Sequence, residues 1–96
     1  MQNVHLHLAG GETIPLKIAA NDRTTLLECQ NPLPFLEHVS QGRWTNSIGP
    51  ETYLRGSVHP EEGAIFSLCG PLGIVADDVL RLSPERARSL LLDMIW

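Results

Sequence analysis

The 96-residue sequence has little positive charge and only two cysteines. Seven Lys and Arg residues stand against eleven Asp and Glu residues, and the formal net charge is −4. The overall attraction that draws proteins to a phosphate backbone is therefore missing, and we expect no nucleic-acid partner. Cys29 and Cys69 belong to no paired motif, so we expect two buried thiols in a reducing compartment, with a disulfide between them as the alternative.

Long apolar runs are absent as well. The first residues contain neither a basic region nor a signal-length apolar stretch, and no later run approaches the ~20 apolar residues of a membrane span. Eight Gly and seven Pro are spread along the chain without forming a low-complexity tract. We therefore expect a cytoplasmic protein without membrane contact, folded as a single domain over residues 1–96 with one core.

The strongest positive signal is a capped helix predicted from Pro84 to Trp96. Ser83 suits the N-cap, and Pro84 suits the first helical position, where a missing N–H costs nothing. At about 100° per residue, one stripe of this helix is apolar. Its members are Ala87, Leu90, Leu91, Met94 and Ile95. Leu92 and Trp96 fall outside the stripe, so we expect them to pair two copies of the chain about a two-fold axis. The alternative is that the last turn frays and Trp96 folds back onto the core.

The first nineteen residues alternate between apolar and polar side chains, as in a β-hairpin with one buried face. The apolar sets are Val4, Leu6 and Leu8 on one strand and Ile14, Leu16 and Ile18 on the other. A three-residue loop at residues 10–12 would place both sets on one face and pair Leu6 with Leu16 and His5 with Lys17. Pro15 lacks an N–H and needs an edge strand or an outward position.

The remaining segments alternate between turn sequences and short apolar runs. Residues 22–30 suit either a short helix after Asn21-Asp22 or a strand, and the pattern leaves both open. Residues 31–34 should be extended because of their two prolines, and a short helix is predicted over 34–41. Strands are predicted over 43–48, 52–58 and 64–69, and residues 74–82 should lead into the C-terminal helix. The predicted fold is a two-layer α+β domain: a mostly antiparallel β-meander opened by the hairpin, with a central and a C-terminal helix packed on the sheet.

Two groups of side chains suggest chemistry. His5 and His7 project from one strand face at a spacing that suits a transition metal, with His38, His59, Glu12 or Glu37 as a further ligand. A cation on Lys17 opposite His5 would oppose a bound metal, so we expect neither a metal nor a cofactor. Cys69 at a strand end could act as a nucleophile beside His38 or His59, but a small hydrophobic residue closing the strand is the simpler interpretation. The acid pairs Glu61-Glu62 and Asp77-Asp78 are interpreted as solvated turns.

A third group suggests binding. Trp44, Tyr53, Arg43 and Arg55 are of the types enriched at binding hot spots, and together on one sheet face they would suit a small acidic or planar partner. In the alternative, one aromatic fills the core and the arginines keep the strands soluble.

The functional hypothesis is a noncatalytic interaction or regulatory module that binds a protein or a second copy of itself through the C-terminal helix. The alternative hypothesis is a small enzyme or metal-dependent protein that uses His5, His7 and Cys69. An enzyme should bring titratable groups together in a concave pocket, so their placement discriminates between the two hypotheses.

Overall fold

The structure is a computed structural model that describes residues 1–95. This part of the chain forms seven strands and two helices. They are β1 Gln2–His7, β2 Thr13–Asn21, β3 Thr24–Cys29, α1 Pro32–Val39, β4 Tyr53–His59, β5 Gly63–Gly70, β6 Gly73–Leu82, α2 Pro84–Asp93 and β7 Met94–Ile95. The strands form one antiparallel sheet in the order β6-β5-β4-β3-β2-β1-β7, so β1 to β6 are a meander. The predicted two-layer α+β class is confirmed.

Both helices cover the same face of the sheet, which we call the inner face. Its buried side chains form one cluster with those of the helices, including Leu6, Leu27 and Phe66 from the sheet, Phe35 from α1 and Leu90 from α2. Successive residues of a strand point to opposite sides of the sheet. The strand residues that alternate with these buried ones therefore form a second face, the outer face, which neither helix covers. No helix within residues 1–95 has the length and apolar character needed to cross a membrane.

The N-terminal hairpin buries the predicted face, but the predicted register is wrong by two residues. Leu6 lies opposite Ile14 and His5 lies opposite Pro15, and the loop is five residues long rather than three. Leu8 closes this loop, donating its N–H to the Glu12 carbonyl at 2.9 Å. A two-residue shift leaves every apolar side chain on the inner face, so the hydrophobic pattern could not distinguish the two registers.

Residues 24–29 form a strand, which resolves the alternatives left open by the sequence. The turn before it consists of Asp22 and Arg23, and Asp22 has a φ of 61°. Pro15 lies beyond the part of β2 that pairs with β3, because this pairing begins at Lys17. The proline therefore has a neighbouring strand on one side only, as its missing N–H requires.

Helix α1 begins at Pro32, two residues before its predicted start, and ends at Val39. The expectation that residues 31–34 are extended is wrong for 32–34, because N–H groups in a first helical turn have no intrahelical partner and both prolines fit there. Phe35 anchors the helix through an edge-to-face contact with Phe66, with ring centroids 5.4 Å apart at 70°. Phe66 in turn lies on Gly56 of the neighbouring strand, where a Cβ would come within 2.3 Å of the ring.

The strand predicted over residues 43–48 is not present; this segment is irregular. The backbone N–H of Trp44 donates to the Ser40 hydroxyl at 3.0 Å, and its indole N–H donates to the Asn46 carbonyl at 2.8 Å. Trp44 and Ile48 are half-buried against the core cluster. The Ser40 hydroxyl thus accepts the backbone hydrogen bond that Trp44 would give to a neighbouring strand in a sheet.

Residues 74–82, predicted as a lead into the last helix, belong to the long edge strand β6, which begins at Gly73. Its pairing with β5 is interrupted between Phe66 and Leu68 and between Leu68 and Cys69. These bulges insert extra residues into β6 and break the alternation that would identify a strand in the sequence. Asp77 and Asp78 lie in the first interruption rather than in a turn, and Asp78 has a φ of 51°.

Helix α2 has the predicted start but a different end. The Ser83 hydroxyl accepts the Arg86 N–H at 3.3 Å, and Pro84 is the first helical residue. The helix stops at Asp93 instead of continuing to Trp96, because Met94 is extended and pairs with Leu6 of β1. The predicted helical positions of Met94 and Ile95 are therefore wrong.

Candidate functional site

The outer face carries a row of charges that crosses the centre of the sheet. Lys17 lies opposite Glu28, Glu28 lies opposite Arg55, and Arg55 lies opposite Ser67. The Ser67 hydroxyl donates to a carboxylate oxygen of Asp77 at 2.5 Å, which brings that carboxylate to the end of the row. The signs across β2, β3, β4 and the β5–β6 pair therefore alternate, beginning with the cation of Lys17.

A second row of the outer face alternates in side-chain size. Ala19 lies opposite Leu26, Leu26 lies opposite Ser57, and Ser57 lies opposite Ile65. Leu26 and Ile65 are each 43% exposed although they lie in the middle of a sheet. Small and large side chains thus follow one another across the same four strands.

A shallow depression of about 380 Å³ lies over β4 and β5 on this face. Its lining includes Leu26, Arg55, Ser57, Ile65, Cys69 and Ile74. Ile74, on the edge strand, is 64% exposed, so the depression has an apolar rim beside the Arg55 guanidinium. Exposed apolar area of this kind on a small protein commonly marks a contact surface.

The structure separates the four residues predicted to bind together. Tyr53 and Arg55 are two residues apart on β4 and share the outer face, where Tyr53 is half-buried and Arg55 is exposed. Trp44 instead packs against the core cluster from the irregular segment, and Arg43 is exposed beside it. Trp44 therefore fills the core edge, as in the alternative interpretation, and only the β4 pair contributes to the outer face.

On α2, Leu92 is 83% exposed, in line with its position outside the apolar stripe. Its neighbours Ser89 and Asp93 are exposed and polar, whereas Leu90 is buried in the protein's own core. Trp96 lies outside the described residues. Among the side chains described around it, Leu92 is thus an exposed apolar residue beside polar neighbours, which is normal for a globular protein.

The residues of the enzyme hypothesis lie far apart. His5 and His7 are on β1 and Cys69 is on β5, four strands away, which corresponds to roughly 19 Å at the usual strand spacing. His59 lies opposite Gly63, at the far end of β5 from Cys69. Among residues 1–95, no three His, Cys, Asp or Glu side chains come close enough to hold a metal ion.

The two cysteines are buried on different faces of the sheet. Cys29 belongs to the core cluster, and its thiol donates to the Asn31 carbonyl at 3.3 Å; burial raises the pKa of this thiol. Cys69 is also buried but lies under the outer depression, opposite Tyr53. Both are free thiols. A side chain that is buried and protonated is a poor nucleophile, so Cys29 has a structural role.

A second depression, about 650 Å³ in volume and larger than the one on the outer face, lies between the two helices. It is lined by charges of both signs, among them Arg86 and Asp93. The Arg86 guanidinium donates to the Val39 carbonyl at the end of α1, so it is already engaged in holding the helices together. We therefore regard this cleft as part of the fold.

Comparison with known proteins gives no further guide: no family model, no curated protein and no solved structure matches this chain. Function therefore has to be argued from the chain's own geometry. The residues that sequence reasoning did not single out are Leu26, Ile65 and Ile74. One signal in the sequence pointed to this face. Ile65 is apolar but lies between Ala64 and Phe66, so on a strand it points to the face opposite theirs.

Proposed function

We propose that the chain is a small noncatalytic interaction module that binds a protein partner through the outer face of its sheet. The observation that carries this proposal is the one-sided covering of the sheet. Both helices pack on the inner face, and the outer face keeps Leu26, Ile65 and Ile74 at 43%, 43% and 64% exposure. A partner that covers them would remove apolar area from water, which is the main driving force of protein association.

The distribution of titratable groups supports a binding role over a catalytic one. A catalytic site needs a nucleophile or acid next to a group that activates it. On the outer face, Cys69 is buried with Tyr53 as its cross-strand neighbour, and the histidines of β1 lie four strands away from it. The charges of the central row are arranged to recognise a surface rather than to converge on a point.

A contact through α2, as predicted from the sequence, remains the second candidate. Its support is the 83% exposure of Leu92. We favour the outer face because three exposed apolar side chains, Leu26, Ile65 and Ile74, line one depression there, whereas Leu92 is flanked by the polar residues Ser89 and Asp93 among the described side chains. Energetic hot spots are clustered rather than single.

Site-specific photo-crosslinking in the native host tests the proposal. A photoreactive amino acid replaces Ile65 in one version of the full chain and Leu92 in the other. We expect a discrete protein adduct from position 65 that is lost on adding Ile74→Lys, a change on the exposed rim that leaves the core untouched. Adducts from position 92 alone would move the contact to α2, and the absence of any adduct at position 65 would refute the proposal.

A further inference from the structure

We infer that the partner on the outer face is a second copy of this chain, related by a two-fold axis that runs parallel to the strands between β3 and β4. This inference rests on the proposed function, since it names the occupant of the same surface. A two-fold contact requires that a surface be complementary to itself. The two rows of the outer face meet this requirement about the same axis.

The charge row is the first argument. Rotation about this axis brings β3 over β4 of the second copy and β2 over its β5. Glu28 then meets Arg55, and Lys17 meets the carboxylate of Asp77 held by Ser67, each from the other copy. A two-fold axis perpendicular to the strands would instead set Glu28 over Glu28. The alternation of signs therefore favours an axis parallel to the strands, and the axis between β3 and β4 is the one that pairs all four members of the row.

The size row is the second and independent argument. The same rotation places Ile65 over Ala19 and Leu26 over Ser57 of the second copy. Each exposed large side chain thus faces a small one, which is how side chains of two packed sheets interdigitate at about 10 Å separation. The apolar side chains would be buried without steric conflict.

The contact is modest in size. Four strands at ~4.8 Å spacing and about five residues at ~3.3 Å per strand cover roughly 19 by 17 Å, less than the ~800 Å² per partner of a standard interface. We therefore expect a reversible dimer with a dissociation constant on the order of 10–100 µM. Because exposed charges are screened by salt, association should be strongest at low ionic strength.

Charge exchange between two variants tests the inference. Glu28→Arg and Arg55→Glu each place like charges against one another twice in the dimer, so each variant alone should associate at least about tenfold more weakly than the wild type. In an equimolar mixture, one copy carries arginine at both positions and the other carries glutamate at both. Every contact of the mixed dimer then pairs opposite charges, and association should return.

The mixing step separates the dimer contact from effects inside one chain. Glu28 and Arg55 are also neighbours within the sheet, so each variant has a like-charge pair of its own, which mixing cannot relieve. An overall electrostatic attraction between the two variants is excluded too. The substitutions change the net charge of −4 by two units each, to −2 and −6, so both variants stay negative. Sedimentation of the single variants and of the mixture, one carrying a fluorescent label, provides the measurement.

Two further variants complete the test. Ala19→Leu fills the space opposite Ile65 and should weaken association without a charge change; it also serves if a charge variant folds poorly. Leu92→Glu on α2 should leave association unchanged. The inference is overturned if the wild type is monomeric at about 1 mM, if mixing restores nothing, or if Leu92→Glu alone dissociates the dimer. A monomeric wild type that still forms the position-65 adduct would overturn self-pairing while leaving the proposed function intact, whereas a dimer that lacks this adduct would overturn both.

Discussion

Gly56→Ala should be among the most damaging single-methyl changes in this protein. The added Cβ would lie 2.3 Å from Cδ1 and 2.5 Å from Cε1 of Phe66. The Phe66 ring cannot swing away, because it is fully buried and holds the edge-to-face contact with Phe35, which is fully buried as well. Overpacking of this kind costs about 1–3 kcal/mol, and a disturbed aromatic pair adds about 0.5–1.5 kcal/mol.

We therefore expect the free energy of unfolding to fall by about 2–4 kcal/mol, a large share of the 5–15 kcal/mol typical of a domain. The midpoint of thermal unfolding should drop by about 10–25 °C in a domain of this size. Urea unfolding followed by circular dichroism measures the change. The matched control is Gly10→Ala, since nothing lies within 4 Å of the added methyl there.

A double-mutant cycle tests the cause. Phe66→Leu removes the ring, so adding Gly56→Ala to it should cost much less than adding Gly56→Ala to the wild type. If Gly56→Ala changes stability by no more than the Gly10 control, or if the two changes are additive, the strand–ring–helix contact does not hold α1 on the sheet.

Two further predictions concern the core. Leu16→Ala should lower the free energy of unfolding by about 2–4 kcal/mol, because Leu16 is buried opposite Val4, whereas Leu33→Ala on the exposed side of α1 should have little effect; equal denaturation midpoints would contradict the assigned inner face. Burial raises the pKa of the Cys29 thiol, so the unfolded chain loses this proton first. The contribution of this thiol to the free energy of unfolding should be fully present below the unfolded thiol pKa of ~8.5 and should decline as the pH rises further. Cys29→Ala should flatten that decline when unfolding is measured as a function of pH.

Local chemistry made much of the fold predictable from the sequence. Ser83 and Pro84 identify a helix start through the cap itself, and the alternation around Leu6 and Leu16 identifies which face is buried. These signals act over a few residues. The hairpin register was missed because a two-residue shift preserves the buried face, and β6 was missed because its bulges remove the period of two.

The outer face required information that a single sequence does not carry. Lys17, Glu28, Arg55 and Ser67 are separated by 11 to 27 residues along the chain, and they form one row only through the registers of three strand pairs. An error of two residues in any register would break the row. That Tyr53 and Arg55 share one face could be predicted from the sequence, because they are two residues apart on a single strand.

The edges of the sheet explain why association should use the face. Asp78 adopts a positive φ within the bulged part of β6 and is bound to Arg81 at 2.7 Å, and this guanidinium holds the pKa of the carboxyl below its usual range. A bulge with fixed charges disfavours the addition of another strand at that edge. At the opposite edge, β7 already pairs with His5 and Leu6 of β1. Edge pairing can also propagate to open chains of molecules, whereas a two-fold contact through the outer face uses that face up and stops at two copies. The fold thus restricts its edges and leaves the outer face open to a contact that would close at two copies.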